Sequence, residues 1–408
     1  MTSIQASLNR QSGLEPCYDE ALVTKTDDAL CHSHFGGENA TPSTGVLLER
    51  RMILGRHANA WLCHETACPA WDDFLRGCGM GQFQQSSLWA HAKQIEGWQN
   101  LRVIFEQEGR IDGGFQVLWR ATRFGRVGYV SKGPVLSFEE PEKVQFSSDL
   151  LLRVIHSYQL MAMIVQPPDE TQLLGFSLAK SGFVPDQLMN VISSTCMVNL
   201  TGSCGAWETG IRRSRKGEIR QAIRRGVTIR EGGDADIPKF FGLMSATCAR
   251  QRVRPNPASV EALRDLVRAF HPRGEVRLSF AYCQGETIAC QLDLKFGRRA
   301  TTWKKGWNGS HPNLHPNALL TYESLRWAQR MGCECLDFAG MDRSLAESLL
   351  ARRPLTEAQK MERDTFNLGF GAKPRLLPRA VIYWRNPLLR FAYSKAVAWP
   401  WAALHWGG

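Results

Sequence analysis

Residues 108–133 read EGRIDGGFQVLWRATRFGRVGYVSKG, and residues 284–306 read QGETIACQLDLKFGRRATTWKKG. The second stretch repeats the plan of the first. Each opens on a turn glycine (Gly109, Gly285) and runs into an apolar strand (Ile111 to Trp119, Ile288 to Phe296). Each then turns on Gly-Arg (Gly125-Arg126, Gly297-Arg298) and returns along a second strand that ends in Lys-Gly (Lys132-Gly133, Lys305-Gly306). A helix-like segment follows both. Copies about 175 residues apart are too distant for a solenoid and fit a duplicated domain. The sequence therefore predicts two similar α/β units, with a functional site in or between them.

The 408 residues hold two domains of ordinary size, each able to bury a core. Residues 1–45 differ in kind. They lack an apolar period and carry two basic residues (Arg10, Lys25) against six acidic ones (Glu15, Asp19, Glu20, Asp27, Asp28, Glu38), so they read as a disordered tail. With a formal charge of +11 for the whole chain, the remainder carries about +15, which points to an anionic partner such as nucleic acid, a phosphorylated molecule or a lipid surface. There is no basic-then-apolar leader and no apolar run of spanning length, and the twelve cysteines include no Cys-x-x-Cys pair. These features predict a cytoplasmic protein with reduced cysteines and no metal site.

Four segments make up the chain: the tail at 1–45, a first unit at 46–205, a second at 206–365, and a segment at 366–408 that returns to the first. In the first unit, helices are expected to start at Trp71 and Leu88, strands at 102–106, 111–119 and 127–131, a helix over Leu150 to Met163, and closing strands at 182–185 and 197–200. In the second, Ile211, Ile219 and Ile223 recur at helical spacing among Arg212, Arg213, Arg215, Lys216, Arg220 and Arg224, a basic helix suited to tRNA or phosphate. Its alternative is a solvated surface helix. Val276 to Tyr282 and Ile288 to Leu294 alternate as a hairpin about Gln284-Gly285, a third strand spans 300–304, a helix 316–331 and a short buried strand 335–338. Three antiparallel strands, a helix and a further strand is the core order of the GNAT acyltransferase fold, and both halves show it.

Five segments in this order resemble the FemAB (FemABX) family of double-GNAT transferases. They are Gly81-Gln82-Phe83-Gln84-Gln85-Ser86 with Trp89 and Gly97-Trp98; Gly128 to Pro134; Ile219 to Ala222 with Gly226-Val227; Pro316 to Ala328 with Gly332 and Asp337 to Gly340; and Phe366-Asn367-Leu368-Gly369-Phe370-Gly371. The resemblance covers roughly residues 70–385. It implies transfer of an aminoacyl or acyl group to an amine, with aminoacyl-tRNA as donor and an anionic or lipid-linked peptidoglycan-type precursor as acceptor in the best-known members. No bound cofactor is expected. The family carries a lysine in its Phe-Lys-x-x-Phe-Gly motif, thought to steady the transition state; here the position is Asn367, leaving Lys373 or Lys305 as substitutes.

In a GNAT core the donor lies where the strand before the helix splays from the strand after it. That places Trp303, Lys304 and Lys305 on one side and Asp337 on the other. Lys304 and Lys305 would meet a phosphate or an oxyanion, and Asp337 would act as base or amine anchor. The expected catalytic set is Lys305, Asp337 and Asn367; Phe366 and Lys373 join Trp303 and Lys304 as substrate contacts. Tyr129 and Lys132 hold the equivalent place in the first unit, which in the family helps bind the acceptor. No Gln/Arg-x-x-Gly-x-Gly/Ala loop for CoA pyrophosphate precedes either helix, yet acyl-CoA or an acyl carrier protein acting on an amino sugar stays open as the alternative, as does a non-catalytic binder of RNA or anionic glycan. Trp384, Trp399, Trp401 and Trp406 lie among Arg385, Arg390 and Lys395, a composition that suits peripheral membrane contact or a docked terminal helix.

Overall fold

Three two-residue turns fix the registers of the antiparallel strands. Leu54-Gly55, Glu108-Gly109 and Gln284-Gly285 all have positive φ at both positions, the geometry whose twist matches that of flanking strands. The computed structural model describes residues 45–189, 191–361 and 364–398. The first half runs β1 (Val46–Ile53), β2 (Arg56–Cys63), α1 (Pro69–Gly77), α2 (Ser87–Gln94), β3 (Gln99–Gln107), β4 (Arg110–Thr122), β5 (Gly125–Ser131), β6 (Val135–Leu136), α3 (Pro141–Ser157), β7 (Leu160–Gln166), α4 (Leu174–Lys180) and β8 (Val184–Pro185). The second runs β9 (Ser194–Asn199), α5 (Arg213–Arg224), β10 (Thr228–Gly232), α6 (Ile237–Arg250), α7 (Val260–Phe270), β11 (Val276–Cys283), β12 (Glu286–Phe296), β13 (Arg299–Trp307), α8 (Pro316–Arg330), β14 (Cys335–Asp337), α9 (Arg343–Leu350), α10 (Glu357–Met361), α11 (Asp364–Leu368), β15 (Lys373–Leu376), β16 (Val381–Trp384) and α12 (Pro387–Ala398).

The duplication is visible in the pairing. In each half three antiparallel strands (β3-β4-β5, β11-β12-β13) lead into a helix (α3, α8) and a parallel partner for the third strand (β7, β14). The first sheet has the order β1-β2-β3-β4-β5-β7-β16-β8 and the second β10-β11-β12-β13-β14-β9-β15. Local signals start the helices: the Ser86 and Ser259 hydroxyls accept from Trp89 N and Ala262 N, each at 3.1 Å, and Pro141 and Pro316 open α3 and α8.

Two expectations change. The helix over Leu150 to Met163 ends at Ser157, and Leu160–Gln166 is instead the buried strand β7. A continuous apolar run reads alike as buried helix or buried parallel strand; Gln159, with φ 51°, makes the break. Met197 to Leu200 does not close the first sheet. It lies in and after β9, antiparallel between β14 and β15. The tail at 1–44 and Trp399, Trp401 and Trp406 lie outside the described residues.

Three large cores result. One lies between the first sheet and α3, around Phe105, Phe115 and Phe146. One lies between the second sheet and α5 and α8, around Ile219, Leu325 and Phe370. The third joins the halves: Trp71, Phe83 and Trp89 meet Phe240, Phe270 and Phe280. Gly81, in the first of the five segments, sits where a Cβ would come within 1.8 Å of the Leu75 carbonyl oxygen. Gly81→Ala must displace the end of α1, and is expected to cost about 1–3 kcal/mol in denaturant unfolding.

Candidate active site

The two parallel strand pairs differ in one respect that positions the site. In the first half β5 and β7 stay paired to their ends, Ser131 against Gln166, and the Gly133 N–H still donates to the Gln166 carbonyl at 3.0 Å. In the second half β14 pairs with only the first three residues of β13, Arg299 to Thr301, before the chains diverge. The second half therefore has the open splay and the first does not.

Lys305 stands in that splay. Its Nζ donates to the Thr321 hydroxyl of α8 at 3.3 Å and lies 5.3 Å from the ring centres of both Phe338 and Phe366. Burial pushes its ammonium down to about 8, against the attraction of Asp293 and the Cys196 thiol. Two aromatic faces supply partial compensation for the lost water. Arg215 of α5 also lies over the Phe366 ring, its guanidinium carbon 4.3 Å from the ring centre. Arg215 also pairs with Glu218, and its buried Nε has no hydrogen-bond partner among the described residues. A Cβ on Gly369 would fall 2.7 Å from the Arg215 side chain, so Gly369 lets α5 approach the motif, and the Arg212 N–H donates to its carbonyl at 2.9 Å. Thus Lys305, Phe366 and Arg215 come together, and Thr321 and Phe338, absent from the sequence-derived set, join them; Asn367 is the neighbour of Phe366 on α11.

Asp337 is elsewhere. β13 carries a bulge: Lys304 faces Leu292 and Thr302 faces Asp293, leaving Trp303 as the extra residue. The bulge turns Lys305 to the α8 face, beside Gln291 on β12. Asp337, paired with Thr301, points to the opposite face. Its Oδ1 accepts from the Thr195 hydroxyl at 2.5 Å and from the Ala339 N–H at 2.8 Å, and its Oδ2 lies 3.7 Å from Arg299. Burial raises its pKa, against the pull of Arg299 and these bonds. Arg299 in turn binds Asp169 at 2.5 Å, and Asp169 binds Lys132 at 2.6 Å. Lys132 is thus held in an ionic chain that crosses between the halves. Tyr129 packs among Ala162, Ile164, Ala380 and Ile382 in the first half. Trp303 meets Trp89 edge-on at 5.8 Å in the core between the halves, with Lys304 over its ring at 4.8 Å.

Beneath Lys305 lies a buried polar layer that sequence reasoning missed. Asp293 is fully buried and accepts from Ser324 at 2.5 Å, Thr302 at 2.8 Å and Gln291 at 3.0 Å; burial raises its pKa despite these bonds. The alternation reads Asp293 with Gln291 and Lys295 on the polar side of the strand, so hydropathy gave no sign that this carboxylate is buried. A cleft of 480 Å³ opens between the halves, lined by Arg76, Arg298, Arg299, Lys373 and Arg375 with Glu170 and Glu334 as its acidic members. Lys373 is exposed there on β15. On α5, Arg213, Arg220 and Arg224 are exposed and Lys216 half-buried, and Arg212, just before the helix, is exposed as well. Among the described residues no cluster of His, Cys, Asp or Glu could hold a metal ion, and no helix is long and apolar enough to cross a membrane.

Comparison with known proteins agrees with this architecture. Residues 69–195 match the FemAB family and residues 211–344 an acetyltransferase (GNAT) domain. The chain is 21% identical over 223 residues to a lipid II:glycine glycyltransferase of Staphylococcus saprophyticus, covering 51% of this chain and 53% of that protein. It is also 21% identical over 221 residues to a protein of the same name from Staphylococcus aureus strain MRSA252, covering 51% and 52%. It thus spans about half the length of the curated relatives it matches. The crystal structure of FemX superposes with a TM-score of 0.69 at 14% identity, covering 82% of this chain and 99% of that one. The matches in chain order make this chain similar to the FemAB family over its first half and to a GNAT domain over its second, and the superposition shows that it shares the fold of FemX, with two GNAT-like domains.

Proposed function

We propose that the protein transfers an aminoacyl group from aminoacyl-tRNA to an amine of a peptidoglycan-type precursor, with Lys305 as the group that stabilises the oxyanion. One observation carries this reading: in the only splay of the two parallel strand pairs, a desolvated lysine sits against Phe366, next to the motif position that Asn367 leaves uncharged. The donor is an ester and already activated, so the site has to align reactants and stabilise developing charge. The unprotonated acceptor nitrogen attacks the ester carbonyl carbon, a C–N bond forms, and the carbonyl oxygen takes the charge beside the Lys305 ammonium. The tetrahedral species collapses with cleavage of the bond to the ribose oxygen, which leaves with the proton shed by the amine.

The partners follow from the charge. Exposed arginines along α5 lead away from Arg215 at the site and suit a polyanionic donor such as tRNA. The basic cleft lined by Lys373 and Arg375 suits the phosphates of an anionic acceptor. The names of the curated relatives, lipid II:glycine glycyltransferases, support glycine and a lipid-linked acceptor as the first substrates to try.

The test is label transfer. Total tRNA charged with labelled amino acids is mixed with the protein and an extract of envelope precursors, and label is counted in product that resists RNase. Transfer abolished by RNase treatment of the donor beforehand is the expected result. No transfer, with thiol released when acyl-CoA replaces tRNA, would overturn the donor assignment and make this an acyl-CoA enzyme.

A further inference from the structure

Helix α12 is docked with its polar side inward. Arg390 lies over the Tyr383 ring at 4.9 Å and against the backbone of Gly182. The Tyr393 hydroxyl accepts from the Gln187 N–H at 2.8 Å, and its ring packs on Trp384 with centres 5.6 Å apart. The residues turned outward are apolar: Leu388 is 77% exposed, Phe391 64% and Leu389 45%. Leu388, Phe391 and Lys395 are spaced to share one face, and the Lys395 Nζ lies 5.4 Å from the Phe391 ring centre. A surface helix of a protein that meets only water buries its Leu and Phe and exposes its Arg; α12 does the reverse.

The surrounding sequence says what the face meets. Residues 365–408 contain no Asp or Glu, six Lys or Arg (Lys373, Arg375, Arg379, Arg385, Arg390, Lys395) and four tryptophans (Trp384, Trp399, Trp401, Trp406). Three of those tryptophans follow α12 directly. Apolar side chains presented outward, cations at their flanks, an absence of anions and interfacial aromatics together match the boundary between acyl chains and anionic headgroups. A protein partner would need complementary acidic side chains, and a second copy would set this cationic face against itself.

We propose that α12 is an interfacial membrane-docking helix that inserts Leu388, Leu389 and Phe391 into the surface of an anionic bilayer. Its use in reaching a lipid-linked acceptor rests on the transferase reading; the binding itself does not, and it is measured without turnover.

The experiment is co-sedimentation of the full chain with sucrose-loaded vesicles of phosphatidylglycerol and phosphatidylcholine, compared with vesicles of phosphatidylcholine alone. Expected is binding to the anionic vesicles that weakens with added salt, and a fall of about tenfold or more in partitioning for Leu388→Asp with Phe391→Asp. Val46→Asp, at an equally exposed apolar position on β1, should leave binding unchanged and controls for charge alone. Unfolding midpoints of the double variant should match the parent, since neither side chain is buried. Equal binding by the double variant would overturn the proposal. So would absence of vesicle binding by the parent, or a parent that is dimeric by light scattering and made monomeric by the same substitutions.

Discussion

Lys305→Met is expected to slow aminoacyl transfer by about 10²–10³-fold, the usual loss when one oxyanion-stabilising donor is removed. The loss should fall on kcat, with KM for charged tRNA little changed, because the interaction is made to a charge absent from the bound substrate. Methionine keeps the unbranched stem between Phe338 and Phe366. The fold should not suffer: with its pKa near 8 in the folded protein, below the unfolded value of about 10.4 for lysine, the ammonium is a cost to the native state at neutral pH. Between those two values the unfolded chain binds more protons, so stability rises with pH there, and the methionine variant should lose this rise.

The pH profile separates the roles open to this lysine. An ammonium that stabilises the oxyanion predicts a kcat that declines above pH about 8. A lysine acting as general base predicts the opposite slope, and that result would sink the assignment. A further variant tests the compensation directly. Asn367→Lys puts the lysine of the family motif next to Phe366 in sequence; if the two positions serve one oxyanion, in the Lys305→Met background it should recover part of the lost rate. In the wild-type background it places a second cation near Lys305 and should move the alkaline limb to lower pH. A double variant no better than Lys305→Met would show that the two positions do not serve one oxyanion.

Why this arrangement was only half visible in the sequence has a physical cause. The repeated turn, Glu108-Gly109 and Gln284-Gly285, fixes hairpin register through local backbone conformation, and the alternation flanking it was sufficient to recover β3 to β5 and β11 to β13. Lys305 followed from its place at the end of the third strand. Its separation from Asp337 did not follow, because one extra residue at Trp303 reverses the faces downstream and a bulge leaves no mark in hydropathy. The membership of β9 was hidden for a different reason: Ser194–Asn199 is as apolar as a strand of either sheet, and its pairing with β14 and β15 is decided by tertiary packing. The Arg215–Phe366 contact joins positions 151 apart in sequence, and a basic helix pattern alone gives no sign that one arginine turns inward.

The second large effect concerns Asp169, which sequence reading passed over. Its carboxylate, with a side chain only 2% exposed, takes Lys132 from the first half on one oxygen and Arg299 of β13 on the other. Burial alone would raise its pKa, but the two cations outweigh burial and hold it well below the usual carboxylate range. Asp169→Asn keeps the shape and leaves two buried cations facing a neutral amide, so unfolding free energy should fall by about 3–5 kcal/mol. The sign with pH follows from the depressed pKa: the stabilisation is complete above the unfolded value of about 3.9 and is lost only as pH falls toward the folded value. The difference between parent and variant should therefore be flat from pH 5 to 8 and close below pH 4. Replacing Lys132, Asp169 and Arg299 together by apolar residues of similar volume should restore most of the loss, because the cost lies in the unpaired charges and not in the missing bonds. A change under about 1 kcal/mol for Asp169→Asn would mean that water reaches the chain of charges. Loss of the Asp169 carboxylate should also loosen Asp337 through Arg299, and with it the strand whose next residue, Phe338, forms one wall of the Lys305 pocket. Transfer rate and stability should therefore fall together in Asp169→Asn, whereas in Lys305→Met the rate should fall alone.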